Sequence, residues 1–86
     1  MTDKFIPHHG IEQDIVPANG TDYTLDEVQA FVGGYIEVVG FGNGVMMLVV
    51  NEDGQAQHLP INERASLIAG QSIVGNVVLI EKDRLK

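Results

Sequence analysis

The sequence predicts a small α+β domain, a twisted and mainly antiparallel sheet of about four to five strands with two short helices. Three observations carry that expectation. Short runs rich in Val, Ile and Leu recur along the chain, bounded by Gly, Pro, Asn or Asp. Two other segments space their apolar residues at helical intervals behind a capping side chain. A length of 86 residues suits one domain only.

The first ten residues hold Pro7, His8, His9 and Gly10, with Phe5 and Ile6 as their large apolar side chains. They read either as a short edge strand or as a loose N-terminal segment. Glu12 to Val16 reads weakly as a strand that ends at Pro17. Residues 18–22 form a turn-rich joint.

A helix is expected over 25–32. Thr24 precedes it and Glu27 follows Thr24 by three residues, the spacing of a capping box. Leu25, Val28, Phe31 and Val32 make one apolar stripe, and Gly33-Gly34 can end the helix in a left-handed conformation. Tyr35 to Val39 alternates as a strand. Gly40-Phe41-Gly42-Asn43-Gly44 reads as a hairpin loop, with the tight turn at Asn43-Gly44.

Val45 to Val50 is nearly continuously apolar, the pattern of a strand covered on both faces. After the turn 51–54, Gln55 to Leu59 reads as a polar third strand near an edge. Asn62 caps a second helix over 63–69, which Gly70 stops. Ser72 to Glu81 is the last strand, interrupted at Gly75-Asn76, where a glycine marks a bulge or a close backbone approach. Met46–Val50 and Val77–Ile80 are expected as neighbours at the sheet centre. Residues 82–86 form a charged tail on a single domain of residues 1–86.

Charge narrows the function classes. The chain carries 12 acidic and 5 basic side chains, a net charge of -7. Residues 81–86 contribute +1, so residues 1–80 carry -8 with only Lys4 and Arg64 as cations. Duplex binding needs a basic face to displace counterions, so no direct nucleic-acid contact is expected. The longest apolar run falls far short of the roughly 18–20 residues of a membrane span. No cationic, apolar leader opens the sequence, so no export is expected. Without cysteine there are no disulfides, thiolate metal sites or thiol nucleophiles.

Candidate chemistry is sparse. Residues 40–44 lack the following helix that a phosphate-cradling glycine loop requires. His8, His9 and His58 are outlier candidates for a metal, but neighbours on a strand point to opposite faces and no ligand spacing is present. Ser66, Ser72 and Thr21 have no nucleophile elbow and no paired base, so no catalytic residue is assigned. Glu52-Asp53 lacks the further oxygens of a calcium loop. Arg64 either pairs with a carboxylate such as Glu37, Glu52 or Glu63, or forms an anion site with nearby backbone N–H groups.

Taken as a set, Leu25 through Gly34, Tyr35-Ile36-Glu37-Val38-Val39, Leu48 through Gly54, Leu59-Pro60-x-Asn62-x-Arg64-Ala65 and Ile73 through Leu79 resemble a family of small bacteriophage and mobile-element proteins classed as a domain of unknown function. The likeness covers roughly residues 12–81. The charged tail departs from it, and Pro7-His8-His9 has no counterpart in it. The resemblance implies a compact α+β fold and a phage, prophage or plasmid origin in a bacterial cytoplasm, with no activity or cofactor attached. Most matching residues serve turns and caps, which leaves Arg64, Tyr35 and Asn51 as candidate binding residues.

Size, acidity and the missing catalytic constellation lead to the expectation of a non-enzymatic accessory protein. It would bind a host or phage protein through a basic surface on that partner. The alternative is an oligomeric binder of a nucleotide or other anionic metabolite that uses Arg64 with Tyr35 or Asn51. Strand surface left exposed by so small a core favours a homodimer.

Overall fold

A computed structural model describes residues 3–41 and 44–85. In chain order it contains β1 (Asp3–Ile6), β2 (Gln13–Ile15), α1 (Leu25–Val32), β3 (Ile36–Gly40), β4 (Met46–Asn51), α2 (Glu63–Ala69), β5 (Val77–Glu81) and a 3-10 turn (Lys82–Arg84). The strands form one five-stranded sheet in the order β2-β1-β5-β4-β3, with every neighbouring pair antiparallel. The expected α+β class and strand number are what the fold shows. The β4–β5 pairing places the two most apolar strands side by side, with Leu48 opposite Leu79 and Val49 opposite Val78.

Strand alternation divides the core in two. Met47 and Val49 of β4 join Val78 and Ile80 of β5 beneath Val28 and Val32 of α1 and the fully buried Tyr23. Leu48, Val50 and Val77 point to the other face, where they meet Ile6, Ile73 and Ala65 of α2. Each helix therefore covers an opposite face of β4, and Met46 to Asn51 is buried throughout. Phe5 on β1 adds a tilted ring contact with Phe31 of α1, at a centroid separation of 5.1 Å.

Both helices have the expected limits, because their start and stop signals are local. Thr24 and Glu27 form the reciprocal capping box, and Gly33 closes α1 in the left-handed region at φ 81°. Asn62 Oδ1 accepts the Ala65 N–H at 3.0 Å to cap α2.

Three expectations need correction. The N-terminal segment, read as an edge strand or loose chain, supplies the interior strand β1, held between β2 and β5. Gln55 to Leu59 is not a strand but part of a run of turns over 52–58. Gln57 N–H donates to the Asp53 carbonyl, His58 N–H to Gln55 and Leu59 N–H to Gly54, at 2.9–3.1 Å. Gln55 to His58 has no β-branched residue, so these local bonds prevail over pairing.

The last strand begins at Val77 rather than Ser72. Gly75, at φ 79°, turns the chain so that its N–H reaches the Pro60 carbonyl at 2.7 Å. A Cβ there would lie 2.8 Å from Leu59 Cδ1, the close approach that glycine permits. The charged tail is partly structured as well, since Tyr23 bridges Leu85 and its N–H donates to the Arg84 carbonyl at 2.6 Å. The expected Asn43-Gly44 turn falls partly outside the described residues.

Among the described residues no helix is long and apolar enough to cross a membrane.

Candidate functional site

The residues singled out by sequence occupy three different settings. Asn51, at the end of β4, is buried and hydrogen-bonded through both its amide nitrogen and its amide oxygen. Its Nδ2 donates to the carbonyl of Val32, the last residue of α1, at 3.2 Å, and its Oδ1 accepts the Asp53 N–H at 2.8 Å. This side chain ties the α1 terminus to the 51–54 turn. Tyr35 lies directly across from that turn, and its carbonyl accepts the Glu52 N–H at 2.9 Å while the residue is 69% exposed.

Arg64 lies elsewhere, on α2, where its guanidinium is ion-paired with Glu12 in the β1–β2 connection. The expected choice between a carboxylate and an anion site thus has a carboxylate partner in this structure, though not Glu37, Glu52 or Glu63. Tyr35 and Asn51 are brought together by the turn, and Arg64 does not join them.

His8, His9 and His58 are all exposed. His8 donates its backbone N–H to Asn76 Oδ1 at 2.9 Å, and His58 takes a positive φ of 56° in the turn run. Among the described residues no group of three or more His, Asp or Glu side chains is placed to hold a metal ion.

A concavity of about 290 Å³ lies over the α2 side of β3 and β4. Val39, Val50 and Ile73 give it an apolar floor, and Glu37, Glu52, Gln55 and Ser72 stand around it. Its walls are fixed by the fold. The Asn51 and Tyr35 bonds position Glu52 on one side. On the other, Asn62 N–H donates to the Ile73 carbonyl at 2.8 Å, and Ile73 N–H donates to Ser66 Oγ at 2.8 Å, which anchors residues 71–74 to α2.

Charge around this groove is one-sided. Lys4 pairs with Asp14 at 2.6 Å, Arg64 with Glu12, and Arg84 with Asp3 and Glu81 at 3.5 Å each. Among the described residues no cation pairs with Glu37 or Glu52. The groove therefore combines an apolar base with two uncompensated carboxylates, a chemistry suited to a cationic side chain with an aliphatic stem.

The sequence pointed to Glu37 only as an ion-pair partner for Arg64, and to Glu52 only as such a partner or as a cation ligand, not to either as part of a binding groove. Glu37 did leave a signal, as the one charged side chain in the otherwise apolar Ile36–Val39 run.

Comparison with curated proteins and with solved structures returns no match. A family described as a domain of unknown function, DUF3846, matches residues 8–85. The match takes in His8, His9 and residues 82–85, which the narrower likeness over 12–81 left outside. With nearly the whole length covered, the chain belongs to the DUF3846 family.

Proposed function

We propose that this protein is a non-enzymatic accessory protein that binds a basic segment of another protein through the Glu37–Glu52 groove. The single observation that carries the reading is these two carboxylates, which stand beside an apolar floor and pair with no cation among the described residues. Such a site favours lysine or arginine, whose aliphatic stem covers Val39 and Val50 while the charged head meets the rim. The remaining acidity of the body adds longer-range attraction. The phage or mobile-element setting in a bacterial cytoplasm, implied by the sequence resemblance, is the context in which we place it.

Titration with a synthetic lysine-rich peptide tests the reading. Binding is expected to weaken as salt rises through about 0.05–0.5 M, and to be lost in the Glu37→Gln/Glu52→Gln double variant. Failure of the peptide to bind at low salt overturns the reading. ATP serves as the anionic probe for the small-ligand alternative. Binding of ATP that disappears with Arg64→Ala would favour that alternative, which the groove's carboxylates otherwise oppose.

A further inference from the structure

The open edge of the sheet lies beside the same groove, and its backbone phase can be worked out. In an antiparallel ladder, hydrogen-bonded and non-hydrogen-bonded pairs alternate. Glu52 N–H donates to the Tyr35 carbonyl, and the register continues as Ile36 opposite Asn51, Glu37 opposite Val50 and Val38 opposite Val49. Tyr35, Glu37 and Val39 therefore direct their backbone groups to β4. Ile36, Val38 and Gly40 turn their N–H and C=O groups outward, where no further strand of the described residues pairs with them.

The two edges of the sheet differ. Edge strand β2 spans three residues and is soon followed by Pro17. Edge strand β3 spans five residues and contains no proline or lysine; its one charged side chain is the acidic Glu37, which discourages pairing with most strands but not with a cationic one. Its side chains also set a pattern. Val38 is 45% exposed on the α1 face, while Glu37 and Val39 face the groove.

Resting on the proposed function, we infer that the basic partner binds as an added strand along β3. It would be an extended segment that alternates cationic and apolar residues. Its backbone bonds Ile36, Val38 and Gly40, its cationic side chains stand beside Glu37 and reach towards Glu52, and its apolar side chains cover Val38. Main-chain bonding supplies affinity, and the opposite-charge cross-strand pair selects sequence and register.

The test uses a synthetic decapeptide of alternating lysine and valine, with alternating glutamate and valine as control. Val38→Pro removes an outward N–H while leaving the bonds to β4, a substitution an edge strand accommodates. It is expected to weaken binding of the lysine peptide by at least about tenfold, whereas Val38→Thr, which keeps the N–H, binds within about threefold of the parent.

In the unsubstituted protein, bound peptide is expected to slow hydrogen exchange at the Ile36, Val38 and Gly40 amides, a readout independent of how the proline variant folds. Peptide binding with no added protection at these amides overturns strand addition and leaves the groove reading standing. No binding to the parent protein overturns both. A dimer in sedimentation without peptide, converted to monomer by Val38→Pro, overturns the inference by assigning the edge to a second copy.

Discussion

Asn62 shows how much one side chain can hold in a small core. It is 1% exposed, and its amide nitrogen donates to the carbonyls of Ile6 and Gly75 at 2.9 and 2.8 Å while its oxygen caps α2. One residue thus joins β1, α2 and the segment leading into β5. Asn62→Ala removes the cap and leaves two buried carbonyls short of a donor, so a loss of about 2–4 kcal/mol is expected by urea denaturation. Asn62→Asp keeps an oxygen for the cap but sets a carboxylate against those carbonyls, and it is expected to be no better. Arg64→Ala is the contrast: its side chain is largely exposed and meets only the half-buried Glu12 carboxylate, so a change within about 1 kcal/mol is expected in the same assay. The capping half of Asn62 was legible in sequence because its target is three residues away. The carbonyls of Ile6 and Gly75 were not, because only the tertiary fold brings them there.

The same division between local and non-local signals governs the elements. Both helices were readable to the residue, since capping side chains and terminal glycines act within a few positions. The β4–β5 pair was readable from apolar density. The interior place of β1 was not, because nothing in Asp3–Ile6 states that a strand some 70 residues later will pair with it. The groove was hidden for a similar reason: Glu37 and Glu52 become neighbours of Ser72 and Ile73 only after the sheet forms. The α1 cap offers a test at this scale. Backbone N–H groups of Thr24 and Ala18 donate to the Glu27 carboxylate at 3.0 and 2.9 Å, holding its pKa below the ordinary 4.5. The carboxyl therefore binds its proton less readily in the folded chain than in the unfolded one. Its stabilisation is present above the ordinary value and is lost as pH falls through the lowered one. Glu27→Gln is expected to show a smaller difference between urea midpoints measured near pH 7 and near pH 3. An unchanged difference would mean that the cap does not contribute to acid sensitivity.

For the molecule as a whole, the two ends of the described chain are knitted together around Tyr23. Its hydroxyl donates to Asp3 Oδ2 at 3.0 Å, Asp3 Oδ1 accepts the Glu81 N–H at 3.2 Å, and Arg84 reaches the same carboxylate. Strand β1, the α1 entry and the chain after β5 therefore meet at one buried phenol, so loosening it should be felt by the entire fold. Burial, followed by the hydrogen bond to Asp3, raises the Tyr23 pKa above its ordinary value of 10.0. The unfolded chain gives up this proton near that value while the folded chain keeps it, so the stabilisation is complete below about pH 10 and drains away as pH climbs further. Lys4 acts with the same sign, because its hydrogen bond to Asp14 raises its pKa as well. Comparison with Tyr23→Phe separates the two. That variant should lose stability at neutral pH, because Asp3 forfeits a donor, yet decline less than the parent between about pH 9 and pH 11 in urea denaturation. Parallel decline of the two proteins would place the alkaline sensitivity at Lys4 instead, and would mean that the junction of the chain ends does not depend on the phenolic proton.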